Sequence, residues 1–184
     1  MADVKIDTRH LDSDQADALR EDLATVYEEA YAEKLDGAFR SRHGFLDRLH
    51  GYLQRPGFDL VAASADGEGL AGYIFGFPLA VQGGWWSGFL GAVPQDVAEA
   101  TAAGRVFAIS ELMVRPAFRR RHIARFLHDQ LLTGRPEVFG TILVDPANTP
   151  AKTAYLSWGW EQIGEIKPFE NSPTFLSLLK RLDG

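Results

Sequence analysis

The sequence predicts a mixed α/β fold, a central, partly parallel twisted sheet of about seven strands flanked by about four helices. Short runs of alternating apolar residues mark the strands, and longer stretches with apolar residues at helical spacing mark the helices. The elements read β-α-α-β-β-β-α-β-α-β-β, and the second half holds two strand–helix–strand units, the arrangement that produces parallel strands. The 184 residues are 46% hydrophobic and 24% charged, which suits one domain over 1–184 that buries about 70% of its unfolded surface.

Val4–Asp7 alternates and starts the chain as a short strand. Asp12, Ser13 or Asp14 caps the first helix, in which Ala16, Leu19, Leu23, Val26, Tyr27, Ala30 and Tyr31 share a face. A shorter helix covers His43–Gln54 and stops at Pro56 and Gly57. Phe58–Ser64 and Leu70–Phe77 form a hairpin around Ala65-Asp66-Gly67. Residues 78–104 carry little pattern, and only Pro94–Ala103 has helical character there. Arg105–Val114 is a strand, Arg121–Leu132 a helix with Ile123, Phe126, Leu127 and Leu131 inward, and Val138–Val144 a buried strand. Thr149 caps the next helix with Pro150 in its first turn, and Gly159 ends it. Trp160–Ile166 and Thr174–Leu182 close the sheet.

The chain has no cysteine, which excludes a disulfide framework, a thiolate metal site and a cysteine nucleophile, and fits a cytoplasmic location. No apolar run is long enough for a transmembrane helix, and the charged start is unlike a signal peptide, so no membrane partner is expected. The net charge of −6 is unevenly spread: residues 1–36 carry −7 and the rest +1. That acidity serves solubility, or steers a cationic acceptor. Arg115, Arg119, Arg120, Arg121 and Arg125 form one dense basic cluster. A single cluster on an acidic chain argues against a nucleic-acid partner.

Two familiar patterns fail on context. Gly67-Glu68-Gly69-Leu70-Ala71-Gly72 spells a dinucleotide fingerprint, but strand follows it where a helix is required. Ser177-Leu178-Leu179-Lys180 falls in the last strand without its partner motifs. Five scattered histidines make no metal site.

The Arg-rich turn is more informative. A helix start already presents free N–H groups and partial positive charge, so acidic residues are favoured there. Three arginines at that place are unfavourable unless a polyanion such as a pyrophosphate binds, or unless they pair elsewhere.

Val114-x-Pro116-x-x-Arg119-x-x-His122-Ile123-Ala124 resembles motif A of the GNAT superfamily of acyl-CoA-dependent N-acetyltransferases, V-x-P-x-x-R/Q-x-x-G-x-G/A at a strand–loop–helix junction. Asn148-x-x-Ala151-x-x-x-Tyr155-x-x-x-Gly159-Trp160 resembles that superfamily's motif B. The resemblance covers residues 105–166 and implies acetyl-CoA as acyl donor and a small amine, or a peptide or protein amine, as acceptor. It implies that the backbone of Met113 and Val114 pairs with the pantetheine arm. The loop of Arg119, Arg120, Arg121, His122, Ile123 and Ala124 would hold the pyrophosphate, and Asn148 would touch the cofactor arm. Tyr155 would sit near the thioester sulfur, and Glu111 matches a position often used as general base. His122 departs from the pattern, standing where glycine permits positive φ or close approach to phosphate.

An alkyl ammonium with a pKa near 10 must lose a proton before attack, a task for Glu111, unless that carboxylate merely faces solvent or an arginine. The leaving thiolate gains from an acid, and Tyr155 offers one, unless its ring is core packing beside Trp158. Trp85 and Trp86 wall an acceptor pocket, anchor their loop, or meet a second copy in a homodimer; Phe169 and Glu170 are weaker acceptor candidates. The reading in view is an N-acetyltransferase; the alternative is a non-catalytic acyl-CoA-binding module.

Overall fold

The computed structural model describes residues 5–32 and 40–183. Its strands are β1 (Ile6–Leu11), β2 (Asp59–Ala65), β3 (Gly69–Pro78), β4 (Val106–Val114), β5 (Phe139–Val144), β6 (Glu161–Ile166) and β7 (Phe175–Arg181). Its helices are α1 (Ser13–Ala18), α2 (Arg20–Ala30), α3 (Arg42–Leu53), α4 (Gln95–Ala102), α5 (Ile123–Leu132) and α6 (Thr149–Ser157). The strands form one seven-stranded sheet in the order β1-β2-β3-β4-β5-β7-β6. β4 and β5 pair in parallel, joined through α5, while β1–β2, β2–β3, β5–β7 and β6–β7 are antiparallel. The partly parallel sheet is as expected, but six α-helices stand among the described residues where about four are predicted.

The chain divides into two compact units, residues 1–77 with 111–132, and residues 78–110 with 133–184. In the first, Asp12 caps α1 through a reciprocal pair with Gln15. The apolar periodicity of residues 16–31 runs through Leu19, yet the helix breaks there into α1 and α2. Side-chain spacing survives one non-helical residue, so the pattern alone hides the break. Ser41 caps α3. Leu11, Leu23, Tyr27, Phe45, Leu49, Leu60, Tyr73, Phe75 and Met113 make this unit's core.

The failed fingerprint explains itself in the β2–β3 hairpin. Gly67 and Gly69 take φ of +74° and +75° in the turn. Gly72 lies so close to β4 that a Cβ would come within 2.5 Å of the Met113 carbonyl oxygen. β1 begins at Ile6 and runs on to Leu11; Val4 lies outside the described residues. On α5, Ile123, Leu127 and Leu131 are buried as expected, whereas Phe126 is exposed and His128 takes an inward place.

In the second unit, the weakly patterned stretch does contain α4, started by Pro94. Residues 85–91 are tied to β6: Leu90 N–H donates to Glu165 O, Lys167 N–H to Gly88 O, and Phe89 bridges Ile166. Gly88 is obligatory, since a Cβ would sit 1.9 Å from Lys167 O. Asn148, and not Thr149, caps α6, its Oδ1 accepting from Ala151 N–H. Gly159, at φ +85°, ends that helix, and Lys180 Nζ donates to the carbonyl of Trp158 at 2.8 Å.

Candidate active site

In the first unit, the end of β4 leads through a short 3₁₀ turn at Pro116–Phe118 into α5. Arg115 is fully engaged. Its Nε donates to Glu29 at 2.6 Å, and its Nη1 donates to the carbonyls of Glu68 and Leu70. Phe118 is buried beneath the guanidinium groups of Arg115 and Arg121, whose Cζ atoms lie 5.8 and 5.6 Å from its ring centre. Arg119 donates to Ala30 O at 3.0 Å and to Val114 O at 3.4 Å. Two arginines of the cluster therefore fasten the loop to α2, β3 and β4. Arg125 pairs with Asp129 one turn along α5.

The residues facing outward are Arg120, Arg121 and His122, all exposed. Arg120 and His122 both adopt φ of +61°, the left-handed region. A residue with a Cβ loses roughly 1–2 kcal/mol there. The strain at His122 matches the position where a glycine is expected. The carbonyl of His122 accepts from Phe126 N–H, so the helix opens on Ile123 and Ala124 with no acidic residue in its first turn. The first N–H groups of a helix have no intrahelical acceptor. With two outward guanidinium groups and an outward imidazole, this loop suits a polyanion such as a pyrophosphate.

Glu111 precedes this loop on β4 and keeps some exposed surface. Even so, the packing around its carboxyl is dense. Burial pushes its pKa up from 4.5 to about 7, and the positive charge of Arg48 opposes that rise only in part. Arg48, on α3, donates from Nη2 to Tyr27 Oη at 3.2 Å. Burial, and next the charge of Glu111, raises Tyr27 to about 12. The same two causes hold Tyr73 well above the usual phenol range, and its hydroxyl donates to Leu23 O at 3.1 Å. Tyr27 stacks on Phe45 at 4.4 Å and meets Tyr31 at 4.9 Å. The surroundings of Glu111 thus include Arg48, Tyr27 and Tyr73, none of which sequence reasoning singled out. Tyr27 and Tyr31, four residues apart on one helix face, were the available signal, but that spacing equally describes core packing.

In the second unit, Tyr155 is buried, its ring edge-on to Trp158 at 5.4 Å and to Trp160 at 5.8 Å. Asn148 forms the cap described above. Trp86 donates from its indole nitrogen to Thr101 Oγ1 at 3.0 Å and meets both Trp85 and Phe89 edge to face. Both tryptophans are half-buried, and these bonds anchor their loop to α4. Phe169 and Glu170 are exposed. Among the described residues no three His, Asp or Glu side chains could hold a metal ion, and no helix is long and apolar enough to cross a membrane.

No curated protein matches the chain. Solved structures do. The chain resembles PH1933 of Pyrococcus horikoshii at TM-score 0.65 and 19% identity, over 97% of this chain and 99% of that one. It resembles an acetyltransferase of Thermus thermophilus at 0.66 and 14%, over 99% and 100%. It also resembles the PaiA N-acetyltransferase of Thermoplasma acidophilum, solved in complex with coenzyme A, at 0.58 and 14%, over 96% and 99%. These likenesses establish a shared fold. Residues 16–160 match the model of the acetyltransferase (GNAT) family, an acetyl-CoA-dependent family to which this chain belongs.

Proposed function

We propose that residues 1–184 act as one catalytic domain that transfers an acetyl group from acetyl-CoA to a primary amine by direct attack. The observation that carries this reading is Glu111, a half-buried strand carboxylate whose pKa is pushed up to about 7. A base works best when its pKa lies near the working pH, and an unperturbed carboxylate is too weak a base to deprotonate an ammonium efficiently. Glu111 takes the amine proton, directly or through water. The outward cations Arg120 and Arg121, the side chain of His122 and the free N–H groups opening α5 hold the pyrophosphate. Arg119 supports this loop from within, through Val114 and Ala30, and so positions it. The backbone of Met113 and Val114 lies along the pantetheine arm. Asn148 sets the start of α6, which carries Tyr155, and Tyr155 protonates the leaving thiolate.

The packing of Tyr155 between two tryptophans favours a second reading for that one residue, in which the ring is structural. It then serves neither as acid nor as a mark of lost activity. A non-catalytic acyl-CoA-binding module gives no reason to bury a base beside the loop.

The test is calorimetric titration with acetyl-CoA, free CoA and ATP at two salt concentrations, followed by an amine screen read by thiol release. Saturable binding of acetyl-CoA over ATP, with turnover on an amine, supports the proposal. Binding without turnover on any amine favours the non-catalytic module. Binding equal to that of ATP reduces the loop to a general anion patch.

A further inference from the structure

We infer that Glu29, on the last turn of α2, is a positioning residue for the acyl-CoA loop, acting through Arg115. Acetyl-CoA held by that loop in turn steadies the end of α2. The inference rests on the acetyl-CoA reading of the loop and adds to it a residue of another element.

Helix ends carry partial charge of fixed sign, and a C-terminus favours cations. α2 opens well, with Glu21 and Asp22 in its first turn, but it closes on Glu28 and Glu29 with no basic residue in its last turn. Left alone, that end repels its own carboxylates. The missing cations come from elsewhere in the chain. Arg42, on α3, takes Glu28 at 2.6 Å. Arg115 takes Glu29 through two bonds, from Nε to one carboxylate oxygen at 2.6 Å and from Nη2 to the other at 3.2 Å. Arg119 donates to the carbonyl of Ala30, the last residue of α2. That carbonyl is one of those that no N–H of the helix itself satisfies. Two arginines of the β4–α5 junction therefore cap α2.

The same bonds shape the loop. Arg115 also donates from Nη1 to the carbonyls of Glu68 and Leu70, and from its backbone N–H to Ala71 O at 2.9 Å. Its own carbonyl accepts from Phe118 N–H at 2.9 Å, which closes the turn leading to Arg119. The Glu29–Arg115 pair is partly buried, so salt screens it less than a surface pair. Two parallel bonds to one carboxylate also fix the plane of the guanidinium. Without Glu29 that plane is released, and the turn beyond it loses a fixed point. Linkage makes the effect mutual: if the end of α2 strengthens binding at the loop, a ligand on the loop strengthens the end of α2 by the same factor.

Calorimetry with acetyl-CoA compares the full chain with Glu29→Gln and Glu28→Gln. Both variants remove one negative charge from the same turn of α2, but only Glu29→Gln loosens Arg115. The expected Kd rises about threefold or more in Glu29→Gln and stays within about twofold of the wild type in Glu28→Gln. An unchanged or tighter Kd in Glu29→Gln, or an equal rise in both variants, overturns the inference. Hydrogen exchange gives a second reading on the unaltered protein and decides if Glu29→Gln does not fold. Saturating acetyl-CoA should slow the amides of residues 28–31 about threefold or more, while residues 50–53, the last turn of α3, keep their rate. Equal slowing of both turns, or none at residues 28–31 in saturated protein, overturns the inference and leaves the loop reading standing. Failure of the wild type to bind acetyl-CoA overturns both.

Discussion

Glu111 links activity to stability with opposite signs. Its pKa rises from 4.5 to about 7 on folding, so the folded chain holds a proton that the unfolded chain has released across that interval. The stabilising contribution is complete below about pH 4.5 and is lost as pH climbs through about 7. Glu111→Gln removes that loss. It should stabilise the protein at pH 8 by about 2 kcal/mol, allowing for the partial exposure of the side chain, and leave stability at pH 4.5 nearly unchanged. Denaturant melts at the two pH values check this. In the wild type the acetyl-transfer rate should climb through pH 7 as the base is freed. Glu111→Gln should be slow and lack that step; an unaltered pH profile removes Glu111 from the chemistry. His122, exposed and at φ +61°, carries a second local cost. His122→Gly should raise the melting temperature by a few degrees, roughly 2–4 °C per kcal/mol for a chain of this size. A fall in melting temperature would mean that the imidazole makes a contact worth more than the strain.

The β4–loop–α5 junction is built from arginines with different duties. Arg115 and Arg119 bind inward, to Glu29 and to the carbonyls of Glu68, Leu70, Val114 and Ala30, so they hold the junction in shape. Arg119→Met should therefore lower stability by about 1–2 kcal/mol, since charged hydrogen bonds to backbone are lost. Arg121→Met should leave stability nearly unchanged and weaken acetyl-CoA binding. Thermal melts and calorimetry on the two variants separate the roles, and the reverse pattern would exchange them. Helix α6 depends on Asn148 in the same local way. Its side chain satisfies Ala151 N–H at the helix start, so Asn148→Ala should cost about 1 kcal/mol in a thermal melt.

Charge across the whole chain sorts into pairs that hold the fold and cations that stay outward. Glu21, Glu28 and Glu29 neutralise Arg42 and Arg115, so the acidic excess of the first helices is partly structural. Arg120 and Arg121 remain exposed on a chain of net charge −6. Exposed charges are screened beyond about 8 Å at physiological salt, whereas partly buried pairs are screened far less. Raising salt from about 0.05 to about 0.5 M should therefore weaken acetyl-CoA binding several-fold while the melting temperature moves little. Calorimetry and thermal melts at both salt concentrations check this. Constant affinity would show that backbone N–H groups, and not the side-chain cations, carry the phosphate contacts.

Most elements were legible in the residues because apolar spacing on the helices and short apolar runs bounded by turn residues on the strands mark what each buries. The strand–loop–helix around Val114–Ala124 was legible because its arginines break the ordinary rule for helix starts, and the glycine-like position at 122 does take positive φ. The helix over Pro94–Ala103 was legible too, and α4 runs from Gln95 to Ala102. Two things needed the folded chain. The break at Leu19 escaped because it leaves the side-chain period intact. The division of labour among the arginines escaped because the partners of Arg115, and Ala30, which Arg119 reaches, lie 45 to 89 residues away in the chain. The same holds at Glu111. Local sequence offers a carboxylate on a strand, but its pKa is a property of its burial and of Arg48, brought up from α3. Desolvation and Coulomb forces act through space, so residues 27, 48, 73 and 111 become one site only when the chain has folded.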